Sequence, residues 1–202
     1  MKQILAVIIF LLFNACASKK DTQYLQLGKA EMANQHFDEA AKLFTKSIEK
    51  NPANAESFFA RGLSYNLLKD FESAVSDFNQ AEKLGYTDAK LYTLRSFAYN
   101  MTEKNDLALQ DLDKAIEIDP DSYAGNYYNR AMLLLSLKKP DLAVVDLNKY
   151  VEATQDPNGY FARGKIVLGK GDLKSACEDF KRAISFGSAD EELLKISDAI
   201  CK

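Results

Sequence analysis

The chain has 202 residues, 47% of them hydrophobic and 27% charged, with a formal net charge of −3. That is enough apolar material for a sizeable core, and no stretch is polar enough for long disorder. Without residues 1–15, which hold Lys2 and no acid, the 26 basic residues fall to 25 against 29 acidic ones; there is no basic excess to exchange counterions with phosphates, so nucleic-acid binding is excluded.

Lys2 precedes an apolar run from Ile4 to Phe13 that ends in small residues. This is the pattern of a secretory signal, and the run is too short to span a bilayer as a mature helix. The tetrapeptide Phe13-Asn14-Ala15-Cys16 resembles the lipobox of bacterial lipoproteins, where signal peptidase II cuts before a diacylated cysteine. Ala15 and Cys16 fit that pattern; Phe13 and Asn14 depart from its commonest form, Leu followed by a small residue. The resemblance implies loss of residues 1–15, lipidation of Cys16 and a short polar tether over 16–20. Ala17 is not the aspartate that retains enterobacterial lipoproteins at the inner membrane, so the outer membrane is implied, facing the periplasm or the outside. The alternative is an ordinary signal cleaved after Ala15 with an incidental cysteine.

From Asp21 the chain repeats. The unit is clearest over Ala55–Asp88, where Phe58, Arg61, Gly62 and Tyr65 stand at i, i+3, i+4 and i+7, and Ala74, Phe78 and Ala81 share a second face. Two amphipathic helices joined by the polar turn Lys69-Asp70 are predicted to fold back on each other. Gly62 inside a helix costs on the order of 1 kcal/mol relative to Ala, so it needs a packing reason. Units begin at Asp21, Ala55, Ala89, Ala124 and Pro157, at intervals of 34, 34, 35 and 33 residues.

That period and the small/aromatic pattern resemble the tetratricopeptide repeat family. Gly28, Ala40, Phe44 and Pro52 carry the match in the first unit, Tyr92, Tyr99, Ala108, Leu112, Ala115 and Pro120 in the third, Tyr127, Ala131, Ala143 and Leu147 in the fourth, and Tyr160, Gly164, Ala176, Phe180 and Ala183 in the fifth. Ser96 and Ala131 replace the glycine, and Tyr150 replaces a small residue. The implied fold is all-α: a right-handed superhelix of about five helix-turn-helix units, at 21–54, 55–88, 89–123, 124–156 and 157–188, with a capping helix over 189–202.

Within each unit a second register carries charge. The seventh position reads Leu27, Arg61, Arg95, Arg130 and Arg163; the twenty-third reads Leu43, Asp77, Asp111, Asp146 and Asp179. Arginine always accompanies aspartate, which predicts contact across the helix pair, with the carboxylate taking the guanidinium fork. Separately solvated charges are the alternative.

Little suggests chemistry. His36, the only histidine, falls in a turn with no clustered partner, which gives no metal or catalytic case. Gly164-Lys165-Ile166-Val167-Leu168-Gly169-Lys170 imitates a phosphate-binding loop, but Gly171 stands where Ser or Thr would bind magnesium, and the repeat register puts Gly164 inside a helix. No nucleotide, cofactor or metal is expected, and with no HExxH or GxSxG the chain is read as non-enzymatic. In the cap, Leu193, Leu194, Ile196 and Ile200 form the apolar face behind the acids Asp190, Glu191 and Glu192. If the cap folds back antiparallel about Gly187-Ser188, Cys177 and Cys201 come within one turn of each other. Outside the cytoplasm a disulfide between them is permitted; two buried free thiols are the alternative.

In the tetratricopeptide family ligands usually lie along the concave face, lined by the first helix of each unit. The positions resembling that lining are Leu25, Lys29 and Met32; Phe59, Leu63 and Asn66; Thr93, Phe97, Asn100 and Met101; Tyr128, Met132 and Leu135; and Phe161, Lys165 and Leu168. They are mostly apolar, suited to a peptide with hydrophobic anchors, unless half of them pack against neighbouring units. They do not resemble the Lys/Asn/Arg clamp of chaperone-linked members, because Leu25, Ala60 and Leu94 occupy its polar places. The expected function is a membrane-tethered adaptor that binds another protein or peptide. A permanent subunit of an envelope assembly, pilus or secretion machine is the second reading, and cell-wall or glycan contact the third.

Overall fold

A computed structural model describes residues 20–120 and 124–201. The signal-like residues 1–15, Cys16 and tether residues 17–19 lie outside them. Every regular element among the described residues is an α-helix: α1 over 20–33, α2 Phe37–Lys50, α3 Ala55–Leu67, α4 Phe71–Lys83, α5 Ala89–Met101, α6 Asn105–Ile118, α7 Gly125–Ser136, α8 Pro140–Thr154, α9 Pro157–Gly169, α10 Leu173–Ser185 and α11 Glu191–Ile200.

The helix starts are written in short polar residues. Side chains of Asn54, Asp70, Asp88, Asp156, Asp172 and Asp190 accept from the backbone N–H of Ser57, Ser73, Lys90, Asn158, Ser175 and Leu193, satisfying first-turn donors that no intrahelical carbonyl reaches. Pro140 and Pro157 open α8 and α9, where a missing N–H costs little. Left-handed residues end the first helices of the hairpins: Gln35, Lys69, Glu103, Lys138 and Gly171, the last with φ +84°. Only Gly171 adopts that conformation without crowding a Cβ.

The chain divides into two compact units, residues 1–111 and 112–202, with α6 running through the division. In the first, α2 packs on α3, α3 on α4 and α4 on α5. Its core includes Leu25, Ala40, Phe44 and Ala60 beneath α1, and Ala74, Phe78, Ala81, Leu91 and Tyr92 further along. The start of α1 is tied down by polar groups. The buried Asp21 carboxylate accepts from the amides of Asn51 at 2.8 Å and Asn54 at 3.3 Å, while Ser47 Oγ donates to the Asp21 carbonyl and bonds to Ser57 Oγ. In the second unit α7 packs on α8, α8 on α9, α9 on α10 and α10 on α11.

The helix-pair crossings explain the small residues. A Cβ added to Gly28 would lie 2.5 Å from the Phe44 ring, one on Gly62 2.9 Å from Phe78 and one on Gly164 2.4 Å from Phe180. Each ring is fully buried, which favours folding by about 1.5–3 kcal/mol apiece. Tyr150, the large residue at an otherwise small position, is admitted by Gly159, whose added Cβ would stand 2.6 Å from its ring.

Candidate functional site

The arginines and aspartates meet as charge-assisted forks. Arg61 donates from Nε and Nη2 to the two oxygens of Asp77 at 2.7 and 2.8 Å, Arg95 to Asp111 at 2.8 and 2.8 Å, Arg130 to Asp146 at 2.8 and 2.6 Å, and Arg163 to Asp179 at 2.9 and 2.6 Å. The remaining Nη1 reaches back to the preceding hairpin: to Thr45 Oγ1, to Asn79 Oδ1, to Asp113 Oδ1 and to Asn148 Oδ1 respectively. Aromatic rings flank each guanidinium, Phe58 and Tyr65 for Arg61, Tyr92 and Tyr99 for Arg95, Tyr127 for Arg130 and Tyr160 for Arg163. Burial opposes the charge on Arg95, but Asp111 and then Glu82 outweigh it and hold the guanidinium above its ordinary range. Asp146 does the same for Arg130 against burial, with help from Asp113. These groups hold the hairpins together.

In the first unit the groove-facing residues divide. Phe59 is half-buried and stacks on Tyr86 at 4.4 Å, and Asn66 is buried with its amide donating to the Leu94 carbonyl. Leu63 is half-buried. Phe97, 49% exposed, stands edge-on to Phe71, and Asn100 and Met101 are exposed beside it on α5.

In the second unit Tyr128, Met132, Leu135 and Phe161 come together with Pro140, Ala162, Ile166 and Gly169 around a groove of about 580 Å³. That size suits an apolar ligand side or small molecule. Lys165, Lys170 and Asn158 supply its polar groups. Tyr128 packs on Tyr150 at 4.9 Å; burial, then the Asp156 carboxylate, pushes its phenol above the ordinary range and keeps it neutral. Phe161 is backed edge-on by Phe180 at 5.9 Å. Leu168 packs instead on the terminal core of Val151, Tyr160, Ala176, Phe180, Ala183 and Leu193. Pro140, Gly169 and Lys170 come from helix ends that a projection of first-helix positions omits. The adjacent turn signals, Lys138-Lys139-Pro140 and Gly169-Lys170-Gly171, were available in the sequence.

Cys177 and Cys201 are joined, with Cα atoms 5.3 Å apart. His36 is an exposed turn residue bonded to Glu31. Among the described residues no group of His, Cys, Asp and Glu could hold a metal ion, and no helix is long and apolar enough to cross a membrane.

Tetratricopeptide repeat family models match residues 25–89, 89–122 and 124–157. The chain belongs to the tetratricopeptide repeat family, with an all-α fold of the helix-hairpin solenoid class. An 85-residue stretch is 36% identical to DnaJ homolog subfamily C member 3 of Gallus gallus, covering 42% of this chain. The chain spans only 17% of the length of that relative. Among solved structures it is similar to YrrB, a tetratricopeptide repeat protein with an unusual peptide-binding site, at a TM-score of 0.75 and 18% identity over 87% of this chain and 90% of that one. It is also similar to the first such domain of Spaghetti (RPAP3) bound to the HSP90 peptide SRMEEVD, at a TM-score of 0.57 and 26% identity over 60% of this chain and 95% of that one. Members of this family act as protein-interaction scaffolds.

Proposed function

We propose that this chain is a non-enzymatic adaptor that captures a peptide or partner protein through the apolar first-helix faces of its repeats, held at the bacterial envelope by lipid on Cys16. The observation that carries the binding half is the second unit's groove, where the half-buried Tyr128, Met132, Leu135 and Phe161 line an apolar recess of about 580 Å³. An apolar recess with a few polar groups at its edge is what a hydrophobic anchor residue needs. That YrrB has a peptide-binding site and RPAP3 holds a peptide supports the same use of the fold. The envelope half rests on the lipobox-like residues Ala15 and Cys16 and the apolar run before them; the outer membrane is the destination, since Ala17 is not an inner-membrane retention aspartate.

Replacing Phe97 and Tyr128 together by Asp puts a charge on each unit's exposed face. Photo-crosslinking from Met132 in native membranes should capture one dominant partner from the parent protein and none from Phe97→Asp/Tyr128→Asp, with helical circular dichroism unchanged. Undiminished capture by the double variant would remove the groove from consideration.

A further inference from the structure

We propose that the Cys177–Cys201 bond is a thiol-reversible latch that sets the shape of the second unit's groove; the inference rests on that groove being the binding site. Cys177 lies on α10 and Cys201 caps α11. Helix α11 has 10 residues, too few to stay helical by itself in water. It is held by Leu193, fully buried among Val151, Tyr160, Ala176, Phe180 and Ala183, by Ile196 and Ile200 against the same cluster, and by the disulfide at its far end.

Two links connect α11 to the groove. Phe161, a groove wall, packs on the cluster that seats Leu193 and meets Phe180 edge-on. Glu192, in the first turn of α11, accepts from Lys165 Nζ at 2.9 Å, and that ammonium lies 5.2 Å from the centre of the Phe161 ring. An exposed ion pair contributes little to holding a helix; its effect here is to place Lys165 across Phe161. The seated α11 therefore places a cation of the groove, Lys165, and supplies Leu193 to the cluster on which the Phe161 wall packs.

Opening the latch is ordinary exchange with a dithiol. One thiolate of the reductant attacks a sulfur of the pair, forming a mixed disulfide and expelling the other cysteine as a thiolate that takes up a proton. The reductant's second thiol then displaces the remaining cysteine, so Cys177 and Cys201 end as thiols and the dithiol as a disulfide. Both cysteines are only half-buried, which leaves the bond approachable. With the bond open α11 frays from its C-terminal end, Leu193 leaves its seat, Lys165 loses its Glu192 partner, and the cluster behind Phe161 loosens while Phe180 still backs the ring.

The test is hydrogen exchange read by mass spectrometry on the full chain, oxidised, reduced with dithiothreitol, and as Cys177→Ser/Cys201→Ser. In both states that lack the bond, amides of α11 should exchange at least tenfold faster, while α2–α4 stay unchanged. In parallel, anilinonaphthalene sulfonate, a probe with apolar rings and an anion to meet Lys165, should change its Kd at least threefold on reduction, and Glu192→Gln should reproduce part of that change with the bond intact. Unaltered α11 exchange on reduction overturns the latch; faster α11 exchange with unaltered probe affinity overturns its connection to the groove. Loss of the groove's role as partner site would show instead in the Met132 crosslinks, which the exchange measurement does not involve.

Discussion

Asp111 accepts both arms of the Arg95 fork with the two side chains each 8% exposed, so neither charge has water to fall back on. Removing one partner strands the other, and that costs more than the pair is worth. Asp111→Ala should lower the unfolding free energy by about 3 kcal/mol, because Glu82 and Asn79 hold only Nη1 of the remaining guanidinium. Arg95→Leu together with Asp111→Leu should lose only about 1 kcal/mol, since apolar replacement of a buried pair is often nearly neutral. Leu27 and Leu43 already stand at these two positions in the first unit. Urea denaturation of the two singles and the double gives the coupling energy, and a value near zero would refute the pairing account. The third bond explains where arginine is used. Its Nη1 needs an acceptor on the hairpin before it, and Thr45, Asn79, Asp113 and Asn148 supply one at a fixed position of successive units. In the fifth unit that position is Lys181. Arg61, Arg95, Arg130 and Arg163 thus join each hairpin to its predecessor as well as closing their own.

At the scale of the helix pair, the crossing point is a contest for volume. Glycine faces phenylalanine at 28 and 44, 62 and 78, and 164 and 180, whereas the buried Ala131 and the smaller, buried Leu147 stand at the same separation. Adding a methyl at Gly164 drives it to 2.4 Å from the Phe180 ring and 3.2 Å from Asp179 Cβ, and a ring buried on all sides has nowhere to go. Gly164→Ala should therefore cost about 1–3 kcal/mol, in spite of alanine's better helix propensity. Adding Phe180→Leu should recover most of the loss by restoring the Ala131/Leu147 solution, even though Phe180→Leu alone leaves a cavity. Thermal melts of the four proteins test this; a double variant less stable than either single one would contradict it. These same compensations mark what could be seen beforehand. The hairpins, the Arg/Asp pairs and the meeting of Cys177 with Cys201 were legible because tandem units, and helices folding back at a turn, repeat the same spacing along one chain. The backward reach to Thr45 or Asn148 was not, because short polar residues on an exposed helix face look like ordinary solvated positions. The groove was half legible. Tyr128, Met132, Leu135 and Phe161 follow from repeat register, but Pro140, Gly169 and Lys170 enter from helix ends, and Leu168 is claimed by the terminal core to which Leu193 belongs. Asn66 reads as a groove amide in sequence, yet it is buried with its amide donating to the Leu94 carbonyl.

For the molecule as a whole, the proposed attachment to a membrane is placed on residues that precede the folded repeats. No described helix can cross a bilayer, and the chain's acidic excess of −3 gives an anionic lipid surface nothing to attract. The attachment proposed is the fatty modification at Cys16, upstream of α1, whose first turn is fixed by the buried Asp21. Each buried methylene adds about 0.8 kcal/mol, so one chain binds reversibly while two or more anchor the protein stably. The expected outcome is therefore all-or-none. In a bacterial host the parent chain should label with palmitate and partition wholly with membranes and into the detergent phase, whereas Cys16→Ala should carry no label and fractionate as soluble protein with the same helical circular dichroism. Salt washing separates the two ways of failing: retention of Cys16→Ala that is stripped by high salt would mean that surface charge or a partner holds it, and retention that resists salt would mean that the apolar run from Ile4 to Phe13 stays uncleaved as the anchor.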